Sequence, residues 1–262
     1  MRSMAAILLL SAWPGWCQLR DVVKSSAIDE TFASTAQSFE VLTKTNYAVE
    51  FRVSSGGQEA RKSDADADEF WFVRRGAAKV VLAGRSHDVN SGDVINVPRT
   101  TSYEISPASG RFEYVAVRVF ASERHTRIGI GAAPEPRPMP DVVAKAKIDA
   151  TLASGDRNVL LHSNGAVLIN HVIYKAIPGP WEVHQTCDDL YFVRMGTARA
   201  KLDGTLLQGK ENPPGEIRGT GVTGAREFTI APGDMVVVPR NTAHFMDPGP
   251  SRLGYLLVKV CD

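Results

Sequence analysis

Cysteine is scarce in this chain: Cys17, Cys187 and Cys261 are all there are among 262 residues. None of them sits at the short spacing of a zinc ribbon or a redox pair, so no disulfide framework or cysteine-rich metal site organises the fold. Charge of one sign is lacking too. The 30 basic and 29 acidic residues leave +1, with no block of either, which removes the electrostatic footprint of a nucleic-acid binder and the patterned helix of a membrane-surface protein. No phosphate-cradling glycine loop or dinucleotide fingerprint occurs, and "GTGVTG" at 219–224 does not lie between a strand and a helix. A hydrophobic content of 44% against 23% charged excludes disorder and describes a chain that folds around a core.

Long apolar runs are missing except near the start. In "MRSMAAILLLSAWPGWCQ" a single Arg precedes an apolar run over 4–13, followed by small and turn-forming residues. This predicts a secretory signal over 1–18, cleaved near Cys17 or Gln18; the run is too short to span a bilayer. The expected localisation is secreted or periplasmic. Cys187 and Cys261 would then remain, and the sequence leaves open whether they form one bridge.

What is present is repetition. "AIDETFAS" at 27–34 returns as "KIDATLAS" at 147–154, and "EFWFVRRG" at 69–76 as "DLYFVRMG" at 189–196, each 120 positions later. "SGDVINVPRTTSYEI" at 91–105 returns as "PGDMVVVPRNTAHFM" at 232–246, now offset by 141. Three matches in one order, with insertions between them, predict a duplicated domain: units at 19–130 and 141–262, joined by the proline-rich "GAAPEPRPMP" at 131–140. Each unit opens on a short helix, with Asp141 as the expected cap of the second. The remainder reads as short strands of β-branched and aromatic residues between Gly/Pro turns, hence an all-β, double-sheet jelly roll.

The second unit contains "EVHQTCDDLYFVRMG" at 182–196 and "GDMVVVPRNTAH" at 233–244. The spacing resembles the two motifs of the cupin superfamily: His-x-His, three or four residues, Glu, six residues, Gly; then Gly, five residues, Pro-x-Gly, two residues, His. Glu182 stands where the family has its first His, Asp189 where it has Glu, and Asn241 where it has its second Gly. The resemblance implies two tandem cupin barrels and nominates Glu182, His184, Asp189 and His244 as ligands of one divalent transition metal. Two imidazoles with carboxylates suit Fe, Mn, Ni, Zn or Cu. Glu182 could alternatively act as an acid/base beside the metal, and Tyr191, on the strand face of Asp189, is the other candidate for moving protons. Trp181 and Phe245 flank ligand positions and could line the pocket mouth, or simply pack.

The first unit puts Lys62 and Asp64 at the two His positions, Glu69 at that of Asp189 and Tyr103 at that of His244. No imidazole remains there, so the first barrel is expected to be metal-free. "SDADADE" at 63–69 lacks the spacing of a calcium loop and reads as a solvated acidic turn. His87 and His125 are isolated. Arg74 and Arg99 recur as Arg194 and Arg240, and their presence in both copies favours a structural role. The offset change comes from an insertion over 206–230, which could be a lid or a pairing edge.

The resemblance implies metal-assisted chemistry on a small oxygenated organic molecule, of dioxygenase or isomerase/lyase type. The alternative is a non-catalytic barrel that binds a small sugar-like or aromatic ligand. A small molecule is thus the expected partner, with no nucleic acid and no membrane after signal cleavage; a homodimer is expected by analogy with other jelly rolls.

Overall fold

The computed structural model describes residues 21–63, 65–120, 139–154, 159–163, the backbone of 167–174, 178–211 and 215–261. The expected signal at 1–18, Asp64, His125 and most of the 131–140 linker lie outside them.

Four sheets form two sandwiches. In the first half of the chain, a six-stranded antiparallel sheet has the order Val142–Val143, Val94–Val97, Ala67–Arg75, Arg111–Phe120, Tyr47–Ser55, Phe39–Thr43. It faces a four-stranded sheet ordered Glu59–Lys62, Ser102–Pro107, Ala77–Leu82, Arg85–Asn90. In the second half, the corresponding six-stranded sheet runs Asp21–Val23, Met235–Val238, Cys187–Met195, Leu253–Cys261, Val167–Tyr174, Val159–Ser163. Its partner runs Lys210–Glu211, Glu216–Gly219, Trp181–His184, His244–Asp247, Ala198–Leu202, Arg226–Ile230. The all-β jelly-roll architecture read from the strand pattern is the architecture found.

Period-two alternation explains how one strand serves two cores. Along Ala67–Arg75, Trp71 and Val73 point into their own sandwich while Phe70 and Phe72 point out of it. Along Cys187–Met195, Tyr191 and Val193 point inward, and Leu190 and Phe192 outward. The outward residues of both six-stranded sheets meet in one shared core, at whose centre Phe72 and Phe192 stack with centroids 3.8 Å apart. A fully buried Phe contributes roughly 2–3 kcal/mol by transfer alone, so this contact holds the halves together.

The two edge strands are exchanged. Asp21–Val23 pairs with Met235–Val238 of the second half, and Val142–Val143 pairs with Val94–Val97 of the first. Directly after each comes a ten-residue helix, Ser25–Ser34 or Lys145–Ser154. Each helix start is held by an aspartate of the opposite half. The Ser25 N–H donates to Asp234 Oδ1 at 2.7 Å, and the Lys145 N–H to Asp93 Oδ1, also at 2.7 Å. The repeated Gly-Asp phrase therefore caps helices across the interface. Asp141, expected to cap the second helix, instead meets Arg85 and, at 3.1 Å, His87.

The recurring arginines are interface and turn fasteners. Arg74 donates to the Gly233 carbonyl at 2.9 Å and pairs with Asp29; Arg194 donates to the Gly92 carbonyl at 2.9 Å. Arg99 and Arg240 bind Asp68 and Asp188. Gly196, the last residue of the repeated phrase, has φ +74°, and a Cβ there would lie 1.7 Å from the Arg252 carbonyl oxygen. Only glycine fits that close approach. Cys187 and Cys261 sit at paired register positions with Cα atoms 4.1 Å apart, and they are bridged.

Candidate metal site

Glu182 and His184 are two residues apart on Trp181–His184, so both side chains leave the strand on one side. His244 opens the neighbouring strand and is the direct register partner of Glu182. That pairing brings together residues 62 positions apart in sequence. Asn241 secures the approach. It sits at φ +62° and its N–H donates to the His184 carbonyl at 2.7 Å. Asn is the residue, after Gly, that tolerates this left-handed geometry, which explains why it can replace the second glycine of the cupin motif.

One donor atom each from Glu182, His184 and His244 lies within 4.8 Å of the other two. His244 Nε2 is 3.3 Å from Glu182 Oε1, and His184 Nε2 is 4.0 Å from the same oxygen. His244 Nδ1 faces the Thr242 carbonyl at 3.2 Å. If Nδ1 carries the proton, Nε2 is the lone-pair nitrogen turned to the cluster. That Nε2 is buried and makes no hydrogen bond among the described residues. On the far side of the other ring, His184 Nδ1 lies 3.9 Å from Glu216 Oε2.

Two imidazole nitrogens and one carboxylate oxygen, with an orphaned nitrogen among them, fit a divalent transition ion. Charge favours it as well. Burial pushes the Glu182 carboxyl up, but His244, His184 and Lys259 outweigh this and hold it below its ordinary value. Burial pushes His244 down, and Glu182 and Asp189 more than reverse it. Without a cation between them, the imidazole and the carboxylate thus stabilise each other's charged forms, and a divalent ion would replace the proton.

Asp189 lies beside this trio, with Oδ1 in an ion pair that lacks hydrogen-bond geometry and Oδ2 accepting a hydrogen bond. Lys259 Nζ is 2.6 Å from Oδ1, the Tyr191 hydroxyl donates to Oδ2 at 2.8 Å, and His184 Nε2 is 3.3 Å from Oδ2. Burial raises the Asp189 carboxyl; Lys259 first, then His184, bring it far below the carboxylate range. Tyr191 is buried and reaches Asp189, while its ring centroid is 6.5 Å from that of His244. At the edge of the site Trp181 and Phe245 stack at 4.5 Å.

Two residues of the site have no place in the motif reading. Lys259 is the register partner of Asp189. Its signal was a lone charge on the inward-facing phase of an otherwise apolar strand, "LGYLLVKVC". Glu216 comes from the 206–230 insertion, whose strand Glu216–Gly219 pairs with Trp181–His184, the strand of Glu182 and His184. The insertion thus extends the site's own sheet.

The corresponding interior of the first half is filled differently. Arg52 holds Glu69 through both terminal nitrogens at 2.6 and 3.2 Å, and the Trp71 indole donates to the same carboxylate at 2.7 Å. Tyr103 packs edge-on against Trp71, and Lys62 is exposed.

No protein-family model and no curated protein matches this sequence. Solved structures do match it. A cupin 2 conserved barrel domain protein from Leptotrichia buccalis is 10% identical, with a TM-score of 0.63 over 93% of this chain and 97% of its own. Salicylate 1,2-dioxygenase from Pseudaminobacter salicylatoxidans, also 10% identical, gives 0.65 over 98% of this chain and 88% of its own. The same enzyme as an adduct with gentisate is 12% identical, with a TM-score of 0.62 over 96% and 84%. At such identities the likeness speaks for the fold: this chain has the jelly-roll barrel fold of the cupin-domain proteins.

Proposed function

We propose that the second-half barrel binds one divalent transition metal through His184, His244 and Glu182, and that the chain is a metal-dependent enzyme acting on a small oxygenated organic molecule. The observation that carries this reading is the convergence of three donor atoms, two on buried histidines and one on the half-buried Glu182, with one histidine nitrogen making no hydrogen bond among the described residues. A bound metal would polarise substrate oxygens as a Lewis acid and, if iron or manganese, support oxygen chemistry.

The chain's own residues divide the remaining work. Thr242 fixes the tautomer of His244 through its carbonyl. Glu182, with 15% of its side chain exposed, is the donor that solvent reaches, so substrate enters from its side. Trp181 and Phe245 offer apolar faces there. Tyr191, hydrogen-bonded to Asp189, is the group placed to hold or release a proton at the barrel floor. That a salicylate 1,2-dioxygenase of this fold forms an adduct with gentisate, an oxygenated aromatic acid, supports the same ligand class here. The apolar run at 4–13 and the Cys187–Cys261 bridge support an exported mature chain.

The test is a panel of hydroxylated aromatic acids and small hydroxy and keto acids, offered to the Fe(II)- and Mn(II)-loaded protein. Oxygen uptake and product are followed for the wild type and His244→Ala. Conversion of at least one compound, lost in the variant, is expected. Binding without conversion across the panel would leave a ligand-binding barrel and overturn the enzymatic part.

A further inference from the structure

We infer that Lys259 decides which carboxylate serves the metal, by holding Asp189 in an ion pair and leaving Glu182 as the carboxylate ligand. The inference rests on the metal-binding reading above and goes beyond it. The motif position alone would give the ligand role to Asp189.

Three observations assign the roles this way. First, Asp189 Oδ1 lies 2.6 Å from a lysine that is 2% exposed, and Oδ2 accepts the Tyr191 hydroxyl. For Asp189 to swing to the metal, a buried ammonium would lose its counter-ion, at a cost of several kcal/mol. Among the described residues, Glu182 has no cationic group within 4 Å except the two histidines, and Lys259 acts on it only from farther away.

Second, Glu182 and Asp189 differ in reach. Glu182, not Asp189, shares the 4.8 Å cluster with both imidazole nitrogens. Third, the first half of the chain also sets a cation opposite the corresponding carboxylate, without the histidines. Arg118 is the register partner of Glu69, as Lys259 is of Asp189. Arg118 Nε lies 3.8 Å from Glu69, which Arg52 also grips. A cation on the last long strand facing a carboxylate on the "FVR" strand is therefore present where no imidazole accompanies it. A cation opposite this carboxylate is common to both halves, although Arg118 also binds Glu50 at 2.8 Å, and the second half adds Glu182, His184 and His244.

The pair has a consequence for His184. With Asp189 held by Lys259, Oδ2 stays 3.3 Å from His184 Nε2 and places negative charge beside the metal-facing nitrogen, while Nδ1, on the far side of the ring, is 3.9 Å from Glu216 Oε2. Asp189 then acts on the site through its charge, and its removal should alter affinity without altering the ligand set.

Cobalt(II) substitution separates the possibilities, because its visible spectrum reports donor number and type. Wild type, Asp189→Asn, Glu182→Gln, Lys259→Met and the double variant Lys259→Met/Asp189→Asn would be titrated with Co(II), with folding followed by circular dichroism. We expect Asp189→Asn to keep the wild-type spectrum, with affinity lowered no more than about tenfold. Glu182→Gln should lose the spectrum or shift it, with affinity lowered by about a hundredfold or more. Lys259→Met should shift the spectrum as the released carboxylate joins the metal, and the double variant should return it to that of the wild type. Loss of the spectrum in Asp189→Asn together with its retention in Glu182→Gln would overturn the assignment. An unshifted spectrum in a folded Lys259→Met would overturn the role of the lysine. Should Lys259→Met fail to fold, the Asp189→Asn and Glu182→Gln pair still decides. Absence of cobalt uptake by the wild type would instead refute the metal reading itself.

Discussion

Replacing both Cys187 and Cys261 by alanine removes a link that closes a loop of sequence separation 74. In the chain-entropy treatment, a loop of that length lowers the entropy of the unfolded chain by about 15 cal/mol/K, or about 4.5 kcal/mol at 25 °C. The bond joins the strands Cys187–Met195 and Leu253–Cys261, already zipped by register pairs from Cys187↔Cys261 to Met195↔Gly254. The native state gains few new contacts from it, so nearly the whole effect should come from the unfolded state. A protein of this size shifts its midpoint by roughly 2–4 °C per kcal/mol, so a fall of roughly 9–18 °C is expected. The assay is thermal and urea denaturation of the wild type and the double variant under non-reducing conditions, with thiol titration of the unfolded wild-type chain. For the unprocessed chain one titratable thiol out of three, Cys17, is expected, none for the chain cleaved after it, and in both a stability loss of several kcal/mol. Free thiols at Cys187 and Cys261, or a loss below about 1 kcal/mol, would refute the reasoning.

Three further outcomes follow from the packing. Phe192→Ala removes one partner of the central stack between the halves and should cost about 3–5 kcal/mol in urea unfolding, whereas Leu207→Ala, at an exposed position, should be nearly silent. Gly196→Ala meets both a positive φ and a backbone oxygen at 1.7 Å, and should cost at least about 2 kcal/mol, against about 1 kcal/mol for Gly249→Ala, where nothing lies within 4 Å. Burial raises the Asp68 carboxyl, but its hydrogen bonds from Arg99 bring it below its ordinary value. Its folded pKa is therefore below the unfolded value of about 3.9, so its contribution is present above about pH 4 and is lost as the pH falls through the folded value. Asp68→Asn should be less stable than the wild type at pH 7, with the gap closing in acid; a gap constant with pH would contradict this.

Much of the fold was legible because strand periodicity is local. "EFWFVRRG" and "DLYFVRMG" announce two-faced strands, and the alternation of Trp71 with Phe72, and Tyr191 with Phe192, between two cores follows from it. What eluded the sequence is non-local. Val22 and Val143 lie on edge strands of three and two residues, too short to carry a pattern, and the exchange of those edges depends on Asp93 and Asp234 reaching helices elsewhere. The site shows the same division. The cupin resemblance nominated Glu182, His184, Asp189 and His244, and the fold gathers all four. The sequence could not rank the two carboxylates, because the ranking depends on Lys259, 70 positions beyond Asp189 in the chain and opposite it in the sheet. Glu216 lay in an insertion with no counterpart in the first half.

The central claim is that the second-half barrel holds a metal, and metal content tests it most directly. The purified wild type, His184→Ala and His244→Ala would be analysed by mass spectrometry, as isolated and after reconstitution with Fe(II), Mn(II), Ni(II) and Zn(II). About one transition metal per wild-type chain, lost in both variants while their β-sheet circular dichroism is unchanged, is the predicted result. A wild-type chain that retains none of these ions after reconstitution would contradict the account.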